Sequence, residues 1–259
     1  MYLRSLRGKQ KVWGLDHAKT LNTVHNLGTL YFQQEKWQEA GEMYSRALRG
    51  YEKAWGSKSK STLSVINHLG ELHFRQGDMR GAEEMYLRAL DGREEVYGLD
   101  HTVTLSTVTN LGILYQEQRK FQEAELMYSR ALRGYEKTVG VELLHEYKPA
   151  LAVIERFGPI FMLTGRPAEA REMYTRAIDG LRLLYGPSSP YVRNLQNVLS
   201  SMRKPSVPIQ QPSSERPVIS SRAPKSPSSR ERQLDDRGAG KIRKSIHRLG
   251  ITLRRRKNS

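Results

Sequence analysis

Four short segments hold residues able to do chemistry at suggestive spacings. Gly56-Ser57-Lys58-Ser59-Lys60-Ser61-Thr62 and Gly238-Ala239-Gly240-Lys241-Ile242 look like loops whose backbone amides and lysine cradle a nucleotide phosphate. The first lacks the glycine before its lysine, and the second lacks both the upstream glycine and a following Ser or Thr, so neither completes that signature. Asp16-His17 and Asp100-His101 pair a carboxylate with an imidazole, the groups used for acid–base work or metal ligation. They stand far beyond the span of one coordination sphere, and polar residues opening a helix cap it. His25, His68 and His73 read as groove or packing residues. There is no HExxH spacing, paired-carboxylate motif or Ser-His-Asp signature, and the absence of cysteine excludes thiol catalysis, thiolate metal sites and disulfides. The expectation is a protein that is not an enzyme, with no cofactor, metal or small-molecule substrate.

The elements that would carry any site are set by an internal repeat. Gly28, Gly70, Gly112 and Gly158 each follow a Leu or Phe, at spacings of 42, 42 and 46 residues. Behind each glycine an Ala, a Tyr and a second Ala recur: Ala40, Tyr44, Ala47; Ala82, Tyr86, Ala89; Ala124, Tyr128, Ala131; and Ala170, Tyr174, Ala177. In the third unit Val103, Leu105, Val108, Leu111, Leu114 and Tyr115 step by three and four. The pattern breaks at Gln118-Arg119-Lys120 and resumes with Phe121, Ala124, Met127, Tyr128, Ala131 and Leu132. Those steps define two amphipathic helices joined by a tight turn. Small residues let the pair approach closely, and one pair leaves a bare face that only a stacked neighbour covers.

The spacing divides the chain into a lone second helix at 1–13, units at 14–55, 56–97, 98–139 and 140–185, and a capping helix at 186–202 opened by Ser189-Pro190. The fourth unit has four extra residues near Val141–Tyr147 and carries Pro159 inside its first helix, where a lost backbone bond predicts a kink. Residues 203–240, rich in Ser and Pro, read as a disordered linker. Residues 241–259 read as a basic, amphipathic helical tail: Ile242, Ile246, Leu249 and Leu253 fall at helical spacing among Lys241, Arg243, Lys244, Arg248, Arg254, Arg255, Arg256 and Lys257. Segment 203–259 holds 16 Lys and Arg against 4 Asp and Glu, so it carries +12 of the formal charge of +16. That charge suits an anionic partner, either nucleic acid or an anionic membrane. No apolar run has the length of a membrane span or of a signal-peptide core, so the expected location is the cytoplasm or nucleus.

The Leu-Gly and aromatic of each first helix, with the Ala-Tyr-Ala of each second, resemble the tetratricopeptide repeat. The 42-residue period is joined by Gly-Leu-Asp-His-x-x-Thr-Leu at Gly14–Leu21 and Gly98–Leu105, and by Ala-Leu-Arg-Gly-Tyr-Glu-Lys at Ala47–Lys53 and Ala131–Lys137. These features are similar to the kinesin-light-chain type of array, and near-identical tandem copies also resemble the C-terminal arrays of fungal NLR-like proteins. The resemblance implies an all-α fold, a right-handed superhelical solenoid of antiparallel helix pairs, with a partner peptide held on a concave face of first helices. On that face fall Asn22, His25, Asn26, Thr29, Phe32 and Gln33; Asn67, His68, Glu71, Phe74 and Arg75; and Thr109, Asn110, Ile113, Gln116 and Glu117. Asparagine offers an extended backbone both a donor and an acceptor. Phe32 and Phe74 offer apolar pockets or pack between repeats. Clustered lysines of the kind that grip a terminal carboxylate are missing, which argues against the chaperone-binding class.

Met1–Gly8 aligns with Met43–Gly50, so the chain opens on the second helix of a repeat. The expectation is a fragment of a longer array, or a helix face covered by a partner or by self-association with a second copy. The expected function is a non-enzymatic interaction module that binds a protein or peptide partner. Two alternatives are a C-terminal sensor fragment of a larger NLR-like NTPase, and binding of nucleic acid or anionic membrane through the tail.

Overall fold

The computed structural model describes residues 2–202, and the expectations for the linker at 203–240 and for the basic tail at 241–259 lie outside the described residues. Among the described residues ten α-helices follow one another: α1 (Tyr2–Trp13), α2 (Ala18–Gln33), α3 (Trp37–Trp55), α4 (Lys60–Arg75), α5 (Met79–Tyr97), α6 (Thr102–Glu117), α7 (Phe121–Val139), α8 (Lys148–Leu163), α9 (Pro167–Tyr185) and α10 (Pro190–Ser201). The same residues contain no strand.

Two rows of small-to-large contacts lock each helix pair. A methyl group on Gly28, Gly70 or Gly112 would stand 2.8, 2.7 or 2.5 Å from the ring of Tyr44, Tyr86 or Tyr128, and one on Gly158 would collide with Tyr174. Glycine therefore sets how near the first helix comes to the second. A second row runs the other way: Gly50, Gly92, Gly134 and Gly180 on the second helices receive Leu21, Leu63, Leu105 and Leu151. The alanines flanking each tyrosine, from Ala40 to Ala177, are fully buried and complete the core.

The connections repeat as well. Between first and second helix one residue sits in the left-handed region: Gly77 and Gly165 at φ 79° and 75°, but Glu35 and Arg119 at 59° and 58°. Between repeats, the hydroxyls of Thr20, Thr62 and Thr104 donate to the carbonyls of Gly14, Gly56 and Gly98 at 2.9, 2.8 and 2.8 Å. In the fourth unit Ala150 takes the place of this threonine. There the extra residues fold into a 3-10 turn, Leu144–Glu146, that buries Leu144. Tyr147 ends the turn edge-on to Tyr135, with ring centroids 5.4 Å apart. The kink expected at Pro159 does not break α8, which runs through it as one helix of 16 residues, the length of α2, α4 and α6. Ile154, Phe157, Ile160 and Phe161 are buried on both sides of the proline, so packing holds the helix where one backbone bond is lost.

First helices touch their successors, α2 with α4, α4 with α6 and α6 with α8, whereas the second helices of the described residues have no such contact with one another. The solenoid therefore curves with the first helices inside. Across the outer side long side chains bridge the second helices, among them Arg88 to Glu52, and Arg130 to Glu94 at 2.6 Å.

Candidate partner-binding face

The inner helices carry the residues expected to line the groove, at three depths. Asn22, Asn26 and Gln33 of α2, Arg75 of α4 and Glu117 of α6 are exposed. His25, Thr29, Phe32, His68, Glu71, Phe74, Thr109, Asn110, Ile113 and Gln116 are half-buried. Asn67 is only 9% exposed.

Tyrosines of the second helices reach through and bind several of these residues from behind. Tyr51 donates to Asn22 Oδ1 at 2.6 Å, Tyr44 to Thr29 Oγ1 at 3.3 Å and Tyr128 to Gln116 Oε1 at 3.0 Å. Burial pushes the Tyr51 phenol up to about 12, so it remains a donor at neutral pH. Phe32 packs edge-on against Trp37 with centroids 5.2 Å apart. His25 Nε2 and His68 Nδ1 share a hydrogen bond of 2.8 Å between α2 and α4. Burial lowers both imidazoles, and His68, with His25 and Arg93 beside it, falls to about 4. Both rings are therefore neutral near pH 7, and one donates to the other.

Asn67 corrects the sequence reading. Expected to grip a peptide backbone, it is bonded inward: its Oδ1 accepts from Arg93 Nη1 at 3.3 Å, Thr107 Oγ1 at 3.3 Å and Asn110 Nδ2 at 3.5 Å. The cause is Arg93, which stands one repeat from Tyr51 and from Tyr135 and brings a guanidinium where those repeats place a phenol. The signal in the sequence was this departure from the 42-residue period.

Of the groups that suggested chemistry, those among the described residues serve local structure, and the segment at 238–242 lies outside them. His17 and His101 cap α2 and α6, each accepting a backbone N–H at 3.2 Å. Asp16 and Asp100 instead pair with Lys53 at 2.7 Å and Lys137 at 3.1 Å. Ser59 of the phosphate-loop lookalike caps α4, accepting from Thr62 N at 3.1 Å. His73 pairs with Asp78 at 2.9 Å. Among the described residues no three His, Asp or Glu side chains gather as metal ligands.

What remains open on the inner face is a set of polar groups beside apolar ones. Asn26, Gln33, Glu71, Arg75 and Glu117 make no side-chain bond among the described residues. Burial raises the Glu71 carboxyl above its usual value, opposed by Arg75. Half-buried Ile113 and the exposed Met162 and Leu163 add apolar surface along α6 and α8.

Comparison with known proteins gives the same architecture. The tetratricopeptide-repeat family matches residues 1–53 and 61–137, half of the chain. No curated protein matches. Among solved structures, BtubC (BKLC) from P. vanneervenii is 18% identical with a TM-score of 0.63, covering 85% of this chain and 96% of that one. A putative-kinesin-light-chain structure of nearly identical TPR-like repeats from Podosopora anserina is 19% identical at TM-score 0.56, covering 78% of this chain and 86% of that one. A substituted form of those Podosopora anserina repeats is 18% identical at TM-score 0.57, covering 71% and 94%. At these identities the likeness is one of fold.

Proposed function

Since the chain belongs to the tetratricopeptide-repeat family and is thereby a protein–protein interaction module, we propose that it is a non-enzymatic scaffold holding an extended segment of a protein partner along the inner face. The observation that carries this is the mixture of open polar and apolar groups on the inner face. On the outer side, pairs of long side chains tie successive second helices together, as in Arg88 with Glu52 and Arg130 with Glu94. The inner face leaves Asn26, Gln33, Glu71, Arg75 and Glu117 open next to Ile113, Met162 and Leu163. Donors and acceptors interleaved with apolar surface suit a backbone and its alternating side chains.

The test is site-specific photocrosslinking of the full chain in cell extract, with the probe at Asn26, Ile113 or Met162 on the inside and at exposed Arg133 on α7 outside. Adducts should form from the inner positions, and the combined substitutions Asn26→Glu, Ile113→Glu and Met162→Glu should abolish capture while leaving helicity intact. Crosslinking from Arg133 alone, or capture unaffected by the triple substitution, would refute the inner-face reading.

A further inference from the structure

Because the helices alternate in direction, the turns leading from each second helix to the next first helix lie along one edge of the solenoid, and that edge carries exposed apolar side chains. The last residue of α1, α3, α5 and α9 is aromatic, namely Trp13, Trp55, Tyr97 and Tyr185, with Val139 in the same place on α7. Trp13, Trp55 and Tyr185 are 40, 45 and 48% exposed. Two residues further on, Leu15, Leu99 and Val141 stand at the tips of their turns, 60, 50 and 73% exposed. Threonine latches onto Gly14, Gly56 and Gly98 fix the first three turns. The turns also protrude: a methyl group added to any of those glycines, or to Gly140 or Gly186, would meet nothing within 4 Å. The turns at the opposite edge, 34–36, 76–78, 118–120 and 164–166, hold no apolar side chain.

Lysines accompany the rings. Lys19, Lys60 and Lys148, each in the first turn of a first helix, hold their ammonium groups 4.6, 5.3 and 5.0 Å from the ring centres of Trp13, Tyr97 and Tyr185. Of the carboxylates on this edge, Asp16, Glu95 and Asp100 are already paired, with Lys53, Lys58 and Lys137. Glu142 and Glu146 remain, the second 3.7 Å from His145, against Lys11, Lys19, Lys60 and Lys148, which make no ion pair among the described residues. The edge therefore keeps a surplus of positive charge.

Side chains on protruding turns form no groove, and a folded protein partner needs a complementary shape to pack against. A lipid surface yields around each side chain. Trp and Tyr beside lysine rest at the boundary of head groups and acyl chains, the ring half immersed and the ammonium kept with the phosphates. Aliphatic tips add buried apolar area, and surplus lysine adds attraction to anionic head groups. We infer that this edge docks on the surface of an anionic lipid bilayer, with Trp13, Trp55 and Tyr185 at the level of the head groups. The surface is separate from the inner face and does not depend on it.

The test uses the chain's own tryptophans. Segment 203–259 carries +12 and is drawn to anionic vesicles by charge alone, so attachment by itself does not read the edge. No tryptophan lies in that segment: Trp13 and Trp55 are on the edge, and Trp37 opens α3 at the opposite one, packed against Phe32. The full chain is mixed with vesicles of phosphatidylserine and phosphatidylcholine brominated on its acyl chains, where bromine quenches the tryptophans that reach it. Bound protein should lose about two-thirds of its emission, with Trp13 and Trp55 quenched and Trp37 spared. The pair Trp13→Phe and Trp55→Phe should bind with its emission intact. Leu15→Ser, Leu99→Ser and Val141→Ser together, copying Ser57 of the second repeat, should weaken the binding that quenches by about 10-fold. Quenching in the unsubstituted chain reads the edge without any variant. Bound protein with unchanged emission would mean attachment through the tail and would overturn the inference, as would quenching of Trp37 equal to that of Trp13 and Trp55. Discrete protein adducts from a photocrosslinker at Leu15 in cell extract, with no quenching by vesicles, would put a protein partner in place of the bilayer.

Discussion

Replacing Gly112 by Ala tests whether the glycine row sets the helix spacing, because two effects of known size oppose each other. Helix propensity favours Ala over Gly by about 1 kcal/mol in a helix interior. Against this, the new methyl group would stand 2.5 Å from Tyr128 Cε1 and 2.6 Å from Cδ1, with Cζ at 3.2 Å, where carbon atoms settle at about 3.5–4.0 Å. The ring has little room to yield. Tyr128 is fully buried, Phe157 meets it edge-on at 5.8 Å, and its hydroxyl is tied to Gln116 at 3.0 Å. Overpacking of a fixed core costs about 1–3 kcal/mol, and the upper end applies here. The net expectation is a loss of about 2 kcal/mol, read as a lower urea midpoint by circular dichroism. Gly8→Ala is the matched control: Gly8 also lies inside a helix, α1, and nothing stands within 4 Å of the added methyl. It should gain up to about 1 kcal/mol. Opposite signs for two identical substitutions would establish the packing argument, whereas a Gly112→Ala protein as stable as the parent would refute it.

Three further outcomes follow from the same structure. Glu35→Gly and Arg119→Gly remove side chains from backbone at φ 59° and 58°, where non-glycine residues cost about 1–2 kcal/mol; each should raise the thermal midpoint, and a drop would show that the side chain repays its strain. Glu94→Gln strands the buried Arg130, whose Nη1 already lacks a partner, and should cost about 1–3 kcal/mol, while Glu52→Gln at the more exposed Arg88 pair should cost less than about 1 kcal/mol in the same denaturant titration. Acid should destabilise the array through His68, whose folded pKa of about 4 lies below its reference 6.5. The unfolded chain takes up that proton first, so stability is full above 6.5 and is lost toward 4 by up to about 1.4 kcal/mol per pH unit. His25 acts in the same direction; His68→Asn should flatten the pH profile, and an unchanged slope would place the sensitivity elsewhere.

The solenoid was legible because its strongest contact is written directly in the sequence: a glycine on one helix and a tyrosine on the next, at a constant offset. The second row was in view and unread. Gly50 and Gly134 stand in Ala-Leu-Arg-Gly, Gly92 in Ala-Leu-Asp-Gly and Gly180 in Ala-Ile-Asp-Gly, but their partner leucines lie far upstream on the preceding helix, and nothing local joins the two. The inner face was legible as a set of helix positions, not as a set of depths. Helical spacing tells which side of α4 Asn67 faces, but an arginine from the neighbouring second helix decides that Asn67 is bonded inward. Asn22, Thr29 and Gln116 are likewise bound by tyrosines whose reach no periodicity reports. In the Asp-His pairs, spacing indicated a helix start but not which residue caps it; the histidine accepts the N–H and frees the aspartate for a lysine.

The joint between Gly28 and Tyr44 has the same chemistry as those of the next two units, and the threonine-to-glycine latches match across the same three units. In this joint and this latch the three units are equivalent. A duplication or deletion of 42 residues within them would keep the glycine–tyrosine joint and the latch, and the contacts it would disturb are those that break the period, such as Arg93 with Asn67 and Thr107. The fourth unit is different. It has no latch, and its turn lays the backbone carbonyl of His145 against Gly180, a fit that no other unit reproduces. A 42-residue step therefore finds a matching joint and latch on the near side of Val141 and a different fit beyond it.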